Sequence, residues 1–297
     1  MDCLDPWRSV PHHSRGCKDL FQRIQTSGEA SVRIQAAGLS DRGLKRGHNE
    51  DSLSVVPDIG LFIVADGMGG HNAGEVASRQ AIESIVEFVR SSDMEEVTWP
   101  FPQEPGLSEL ENKIVSAIKV ANRDVCNLSL EHQEYSGMGT TLVSMLIDPD
   151  TERLVIAHVG DSRCYVLRSG ILEQVTLDHS WVSEQLQKKI ITPEEAKNHR
   201  WKNVITRALG NKLDVDVDVQ TRALRPGDTF LLCSDGLSGM VEDDGLRDIL
   251  MRHADLETAI RELIQTANAN GGLDNISVIL VRILGDDAED IDVTETM

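Results

Sequence analysis

Apolar residues along the chain follow two patterns, one typical of short strands and one of amphipathic helices. Apolar runs rich in β-branched residues, bounded by Gly, Asp or Pro, predict strands over 61–65, 142–147, 153–159, 163–168, 229–233 and 276–283. Helical spacing and capping signals predict helices over 73–90, 108–130, 243–252 and 255–269, and another beginning at Thr192-Pro193. Because the turns around 148–150 and 160–162 join consecutive strands directly, we expect antiparallel pairing rather than parallel crossovers.

The chain divides into three regions of different composition. Residues 1–33 are polar, with mixed charge and no sustained period, which predicts a loosely ordered N-terminal extension. Residues 34–284 carry the alternating strand and helix patterns and form the predicted folded domain. Residues 285–297 hold six acids and no base, which predicts a solvated acidic C-terminal tail.

Charge and cysteine content exclude several classes of protein. The 297 residues include 49 acidic and 29 basic ones, for a net charge of −20 that disfavours nucleic acid and anionic membrane surfaces as partners. No apolar stretch reaches the roughly 18 residues of a spanning helix, and the N-terminus lacks the apolar run of a signal peptide. Five cysteines without a CxxC pair indicate neither a zinc knuckle nor a disulfide scaffold. These features together predict a soluble, cytoplasmic protein.

One acidic repeat imitates a calcium loop but fails its other requirements. Asp214, Asp216 and Asp218 match the first three ligand positions of an EF-hand. Val219 stands where that loop needs Gly, and Arg225 stands at the twelfth position in place of Glu. Alternating Asp and Val is typical of a half-buried edge strand whose valines face inward, and this is our interpretation.

Carboxylates recur at the ends of the predicted strands. Asp66 and Asp235 each follow an apolar run and precede a Gly, Asp161 follows the 153–159 strand, and Asp274 precedes the last strand. Glu50 and Asp51 stand together upstream. A lone Asp-Gly is usually a turn. If the strand ends share one edge, however, these acids converge with almost no cation except Arg46, and bound metal is the natural compensation. An all-oxygen ligand set favours a hard ion such as Mg²⁺ or Mn²⁺.

Eight segments place these acids in a recognisable order. They are RGHNEDS (46–52), ADGMGGHNAGEVAS (65–78), GMGTTL (137–142), HVGDSR (158–163), LDHS (177–180), ITRALG (205–210), CSDGLSG (233–239) and DNIS (274–277). Over about residues 34–284 the chain resembles the metal-dependent protein phosphatases of type 2C. The run ADGMGGHNAGE and the segment IITPEEA (190–196) resemble the bacterial serine/threonine phosphatase branch.

The resemblance implies a fold, a reaction and a set of site residues. The implied fold is α+β, a central sandwich of two antiparallel β-sheets flanked by helices on both outer faces in α-β-β-α layers. The implied reaction is attack of hydroxide, activated by two Mn²⁺ or Mg²⁺ ions, on phosphoserine or phosphothreonine monoesters, with a third ion at a weaker site. The matched positions assign catalytic roles to Arg46, Asp51 and Asp66, phosphate binding to Arg46, and metal binding to Glu50, Asp51, Asp66, Gly67, Asp161, Asp235 and Asp274.

The general acid is where the chain departs from the animal members of the family. The resemblance implies that Asp66 bridges the two metals. The animal members carry His two residues after that Asp, and here that residue is Met68. Protonation of the leaving group then falls to a metal-bound water, or to His71 or His179, each of which is at least as compatible with a structural role.

The resemblance also implies partners and leaves alternatives open. Residues 181–203 resemble the flap beside the active site, where Trp181, Trp201, Lys188 and Lys189 either contact a phosphoprotein or simply pack and face solvent. The expected partners are phosphoproteins, including a cognate eukaryotic-like kinase or its substrates, and the expected state is a monomer. Two other functions fit the same residues: a phosphoprotein-binding regulator with little or no turnover, and a hydrolase of small phosphate esters.

Overall fold

Strands and helices alternate along the chain in the computed structural model, which describes residues 33–69, 73–92, 99–148 and 150–285, and the backbone of 20–23. The strands are β1 (Leu20–Arg23), β2 (Arg33–Asp41), β3 (Asp51–Val56), β4 (Leu61–Met68), β5 (Gly139–Thr140), β6 (Leu142–Asp148), β7 (Arg153–Val159), β8 (Arg163–Arg168), β9 (Ile171–Gln174), β10 (Asp218–Ala223), β11 (Thr229–Cys233) and β12 (Ile276–Leu284). The helices are α1 (Ala73–Ser91), α2 (Glu109–Glu131), α3 (Trp181–Gln187), α4 (Pro193–Lys197), α5 (Asp235–Ser238), α6 (Asp243–Arg252) and α7 (Leu256–Ala269). Every predicted strand and helix is confirmed.

The strands form two sheets whose neighbours all run antiparallel, as predicted. Sheet I has the order β1-β2-β12-β11-β8-β9, and sheet II has the order β10-β7-β6-β4-β3, with β5 paired to β4. Consecutive strands β7 and β8 lie in different sheets, so the 160–162 turn carries the chain from one sheet to the other.

Alternation along the strands builds three apolar layers. In β4, Phe62 and Val64 face sheet I, whereas Leu61 and Ile63 face α1 and α2 on the outer side. The outer side of sheet I packs in the same way against α6 and α7, through residues such as Leu231 and Leu280. The observed order of layers is therefore α-β-β-α, which confirms the predicted fold class.

The structure adds elements that the apolar pattern did not reveal. Strands β2, β3, β9 and β10 are only partly buried, and helices α3 and α5, of seven and four residues, are shorter than two full turns. Strand β1 lies within the predicted N-terminal extension and pairs with β2. The remainder of the predicted extension, residues 1–19 and 24–32, and residues 286–297 of the predicted tail lie outside the described residues.

The acidic repeat leads into an edge strand, but residues 214–217 lie before that strand, so the predicted edge strand is confirmed only from Asp218 onward. Strand β10 begins at Asp218 and occupies the end of sheet II beside β7. Val215, Val217 and Val219 are partly buried against the core beneath α1 and α2, whereas Asp214 and Asp216 are exposed.

Candidate metal centre

Four of the predicted site residues meet where β3 begins and β4 ends. Asp51 and Asp66 are directly opposite each other in the β3–β4 ladder. The backbone N–H of Gly67 donates to the carbonyl of Glu50 over 3.2 Å, which places Glu50 and Gly67 beside that pair. The antiparallel register therefore brings together residues that are about 15 positions apart in the chain.

The other three acids come from segments beside the ends of β11 and β12 in sheet I and from the turn between the sheets. Asp235 begins α5 directly after β11, and Asp274 lies two residues before β12, the neighbour of β11. Asp161 lies in the turn that joins β7 to β8. Like-charge repulsion from Asp51, Asp235, Asp161 and Asp274 contributes to raising the pKa of Asp66, behind burial. All six predicted acids are thus brought together at one end of the sandwich.

Gly67 occupies a position that no other residue could take. A Cβ there would lie 2.0 Å from the carbonyl oxygen of Gly74 and 2.5 Å from that of Glu50. The strand end therefore packs directly against the beginning of α1, and the backbone of Gly67 stays in contact with the carboxylate cluster.

Two serine hydroxyls hold the carboxylate of Asp51. Its side chain is 7% exposed, and its Oδ2 accepts hydrogen bonds from Ser234 Oγ at 2.8 Å and Ser277 Oγ at 2.7 Å. Ser277 lies in β12 of sheet I and Ser234 directly follows β11 of the same sheet, whereas Asp51 belongs to sheet II, so this carboxylate ties the two sheets together. Sequence reasoning missed both serines, although each stands within one of the motifs that supplied an acid, CSDGLSG and DNIS.

The cluster leaves carboxylate oxygens without partners. In the described part of the chain, four buried side-chain polar atoms have no hydrogen-bond partner, and three of them are Glu50 Oε1, Asp51 Oδ1 and Asp235 Oδ1. A buried anionic oxygen without a donor is costly, so three together have the chemistry of a cation-binding site. Hard oxygen donors fit Mg²⁺ or Mn²⁺.

The electrostatics of the metal-free cluster support the same conclusion. Burial, followed by the charge of neighbouring acids, raises the pKa of Asp161 to about 7. Burial also raises the pKa of Asp51 to about 7, although the serine hydrogen bonds oppose the shift. These carboxyl groups therefore hold protons at a pH where ordinary aspartates are ionised, and a divalent cation would replace those protons.

Arg46 lies at the rim of this cluster. Its Nη2 donates to Asp274 Oδ2 over 2.6 Å, and its side chain is 47% exposed. The hydrogen bond to Asp274 raises the pKa of the guanidinium, which stays charged. A cation that is anchored on one side and open to solvent on the other can receive a phosphoryl dianion.

Comparison with known proteins agrees with this geometry. The family model described as "Protein phosphatase 2C" matches residues 44–281. The chain belongs to the protein phosphatase 2C family. It is 40% identical over 245 residues to the serine/threonine phosphatase stp of Listeria monocytogenes serotype 4b, which covers 82% of this chain and 93% of that protein.

Two solved structures of phosphatase 2C proteins show the same fold. The Mycobacterium tuberculosis serine/threonine phosphatase PstP/Ppp superposes with a TM-score of 0.74 at 36% identity, over 84% of this chain and 99% of the other. The catalytic domain of the serine/threonine protein phosphatase PstP, in complex with two manganese ions, superposes with a TM-score of 0.73 at 35% identity. The match covers 85% of this chain and 99% of the other.

In this phosphatase 2C protein, His179 makes contacts that argue against its predicted role as general acid. The ring is 6% exposed, and its Nδ1 accepts the backbone N–H of Gly160 over 3.0 Å. Nε2 then carries the proton and lies 3.3 Å from Asp218 Oδ2. Burial is the main reason that the pKa of His179 falls to about 4, so the ring is neutral at physiological pH. His71, the other candidate, lies outside the described residues.

A second group of side chains, His158, His179 and Asp218, is of the types that bind transition metals. The guanidinium of Arg207, however, already contacts two of them. Its Nη1 donates to Asp218 Oδ1 over 2.5 Å and lies 3.3 Å from His179 Nε2. The rings of His158 and His179 stack nearly parallel, with their centroids 4.5 Å apart. His158 Nε2 forms a hydrogen bond with the carbonyl of Leu177. The group is therefore a structural support beneath the turn that carries Asp161.

Replacing His179 with Ala is expected to lower the free energy of unfolding by about 2–4 kcal/mol, because a buried ring is lost and the Gly160 N–H loses its acceptor. The acidic and basic limbs of the pH–rate profile are expected to keep their midpoints. Thermal unfolding and a pH series on a phosphopeptide check both points. A variant of wild-type stability that has lost the basic limb would restore His179 as the acid.

The predicted flap contains two short helices and an aromatic cluster. Trp181 at the start of α3 stacks on His199 with centroids 4.5 Å apart and meets Trp201 edge-on at 4.7 Å. Trp201 is 40% exposed, and Lys188 and Lys189 are exposed as well. Trp181 thus packs within the flap, whereas Trp201 and the lysines face solvent.

Proposed function

We propose that this chain is a metal-dependent serine/threonine protein phosphatase that hydrolyses phosphoserine and phosphothreonine monoesters. The observation that carries the proposal is the set of three unpartnered carboxylate oxygens beside a solvent-facing Arg46. Membership of the phosphatase 2C family and the manganese-bound PstP structure support the same reaction.

The proposed cofactor is Mn²⁺ or Mg²⁺, two ions in the main site and a third in a weaker one. Glu50, Asp51, Asp66, Asp235, Asp274 and the carbonyl of Gly67 would hold the main pair, and Asp161 with Asp235 would hold the third. When bound, divalent ions of this kind neutralise charge on phosphoryl oxygens and lower the pKa of the attacking water.

The chain's own residues orient the reactants. Arg46 binds the phosphoryl dianion, since a guanidinium presents two parallel donors to two oxygens, and Asp274 keeps it at the rim of the site. Asp51 accepts two serine hydrogen bonds on Oδ2, which leaves Oδ1 free to orient the attacking water. The Met68 side chain has no proton to donate, so protonation of the leaving oxygen falls to water or to His71.

The partners follow from this reaction. The substrates are phosphoproteins, and the proposal includes a bacterial setting in which a eukaryotic-like kinase adds the phosphate. It also includes a monomer in the cytoplasm, consistent with the free, buried thiols of Cys126, Cys164 and Cys233. Among the described residues, no helix combines the length and the apolar composition needed to cross a membrane.

Two other functions would use the same fold. A phosphoprotein-binding regulator would not need the metal ligands, and all six acids are present and clustered here, which favours the enzyme. A hydrolase of small phosphate esters would use the same ligands, so the choice of substrate must be measured.

Phosphothreonine-peptide hydrolysis during a Mn²⁺ titration tests the proposal. Wild type is expected to turn over the peptide only with metal, and faster than it turns over a nucleotide. Asp235→Asn removes a proposed metal ligand. Loss of an outer-shell partner lowers activity roughly 10–100-fold, and we expect this variant to lose more activity than that. Asp216→Asn, an exposed carboxylate in the acidic repeat, serves as the control and should match wild type.

Metal-independent turnover, or full activity in Asp235→Asn, would contradict the proposed mechanism. Preference for the nucleotide would support the small-ester hydrolase instead. Tight phosphopeptide binding without turnover would support the regulator.

A further inference from the structure

The Arg46 loop, residues 42–50, lies on the segment 272–275. The backbone N–H groups of Leu44 and Lys45 both donate to the carbonyl of Gly272, over 2.9 and 3.1 Å. Gly43 has φ +75°, and a Cβ there would lie 2.0 Å from the carbonyl oxygen of Asp274. The loop therefore rests directly on this segment, backbone against backbone.

Asn275 makes all of its side-chain hydrogen bonds to the Arg46 loop. Its Nδ2 donates to the carbonyls of Arg42, at 2.8 Å, and His48, at 2.9 Å. Its Oδ1 accepts the backbone N–H of Glu50 over 2.8 Å. The residue is 3% exposed, so one buried amide joins the beginning of the loop to its end.

Other hydrogen bonds hold the two ends of the loop, from the N–H of Gly43 to Asp41 Oδ1 and from Ser78 Oγ to the carbonyl of Glu50, but the middle of the loop has little packing. Residues 42 and 44–48 are exposed, so their side chains contribute little packing to hold the backbone in one conformation. Fixing the backbone of a loop costs conformational entropy, and the hydrogen bonds to 272–275 oppose that cost. The guanidinium of Arg46 is held by Asp274, the neighbour of Asn275. Adjacent residues thus hold the side chain and the backbone of the same loop.

We propose that Asn275 is a positioning residue that sets Arg46 for the phosphoryl group by joining the two ends of its loop. The inference rests on the proposed function, in which Arg46 binds phosphate. Asn is suited to the position because it supplies two donors and one acceptor at a single point, whereas Asp lacks the donors and Ser lacks the reach.

Asn112 provides a matched control. It is 5% exposed, accepts the backbone N–H of Glu104, and donates to the carbonyls of Glu104, Leu107 and Ser108. It therefore closes the 104–108 loop with the same kind of contacts, and that loop carries none of the proposed site residues. Asn275→Ala and Asn112→Ala remove comparable hydrogen bonds from two different loops.

The test measures binding of inorganic phosphate to Mn²⁺-loaded protein by calorimetry, which does not require turnover. Asn275→Ala is expected to weaken phosphate binding about tenfold, the equivalent of one or two lost hydrogen bonds, whereas Asn112→Ala should leave it unchanged. Amide hydrogen exchange in residues 42–50 should accelerate in Asn275→Ala alone. Kinetics on a phosphothreonine peptide should show a larger change in KM than in kcat.

A double-mutant cycle identifies the residue through which Asn275 acts. In an Arg46→Ala background, adding Asn275→Ala should change phosphate affinity less than twofold. The proposal is overturned if Asn275→Ala binds phosphate like wild type, or if its effect is undiminished without Arg46. Should Asn275→Ala fail to fold, Asn275→Ser is measured in its place with the same expected direction.

The two proposals fail in different ways. If wild type binds phosphate and Asn275→Ala binds it more weakly, but wild type does not turn over phosphopeptides, the proposed function fails and the positioning role stands. If wild type turns over phosphopeptides and Asn275→Ala binds phosphate normally, only the positioning role fails.

Discussion

Asp66→Asn is expected to abolish phosphothreonine-peptide turnover while leaving the metal-free protein at least as stable as wild type. Asp66 lies opposite Asp51 in the ladder and is surrounded by acids, and burial raises its pKa well above the ordinary value. In the absence of metal its charge opposes folding, so a neutral amide of the same shape relieves repulsion. With metal, a central anionic ligand is lost. Removing one preorganised electrostatic group costs about 10²–10³-fold in kcat, and we expect at least that loss here.

Peptide hydrolysis at saturating Mn²⁺ and chemical unfolding in the presence of a chelator measure the two effects separately. Wild type and Asp216→Asn, which changes an exposed acid, provide the references. If Asp66→Asn unfolds more readily than wild type without metal, Asp66 supports the fold rather than the reaction. If it retains turnover, the metal centre is built on other residues.

Chelation of divalent metal is expected to make stability fall as the pH rises from about 6.5 to 8. Asp51 and Asp161 have a pKa of about 7 in the folded protein, against about 3.9 in an unfolded chain. Across that interval the folded state holds more protons than the unfolded state, so stability declines with pH. The slope is up to about 1.4 kcal/mol per pH unit for each carboxylate that is still protonated in the folded state, and it flattens toward pH 8.

The lower limit of this interval is set by histidine. Burial lowers the pKa of His158, and that of His179 falls to about 4, so both rings stay neutral in the folded protein while an unfolded histidine takes up a proton below about pH 6.5. That effect increases stability as the pH rises through 6.5 and fades over about the next pH unit. Between 6.5 and 8 the decline from the carboxylates is therefore expected to exceed the opposing contribution of these two histidines.

Added Mn²⁺ is expected to reverse the decline, because the ion binds the deprotonated carboxylates. At 100 times its dissociation constant, one ion adds about 2.7 kcal/mol to the free energy of unfolding. Denaturant unfolding at pH 6.5, 7.25 and 8, with chelator or with Mn²⁺, measures how stability depends on pH in each condition. Asp51→Asn should reduce the pH dependence that is measured with chelator. Chelated wild-type protein whose stability rises over this interval would contradict the assignment.

The sequence predicted the acids of the site better than their supports. Asp66 and Asp235 were predicted because an apolar run followed by Asp-Gly marks a strand end, and such marks are local. Ser277 and Asn275 were not, because their value depends on Asp51 and Glu50, which lie 226 and 225 positions away. Serine and asparagine have no unusual chemistry of their own that would single them out in a sequence.

The strands, too, separate into those that the sequence predicted and those that it did not. Buried strands such as β6 and β12 carry strong apolar runs and were predicted, whereas β3 and β10 mix polar and apolar residues and gain their strand conformation from pairing with β4 and β7. His179 was open to two roles in the sequence. Its burial and its bond to Gly160 favour the structural one, and neither property is local.

The sequence by itself determined the strands and helices, the acids at the strand ends and the expectation of a hard divalent metal, because each depends on residue type and short-range spacing. Its motifs also indicated the family, and the layered α+β fold followed from that resemblance. Only the tertiary structure decided which oxygens lack partners, that Arg46 is held by Asp274, and that Asn275 closes the Arg46 loop. Those facts depend on contacts between distant segments. Such contacts arise only when two sheets pack and bring their strand ends to one edge.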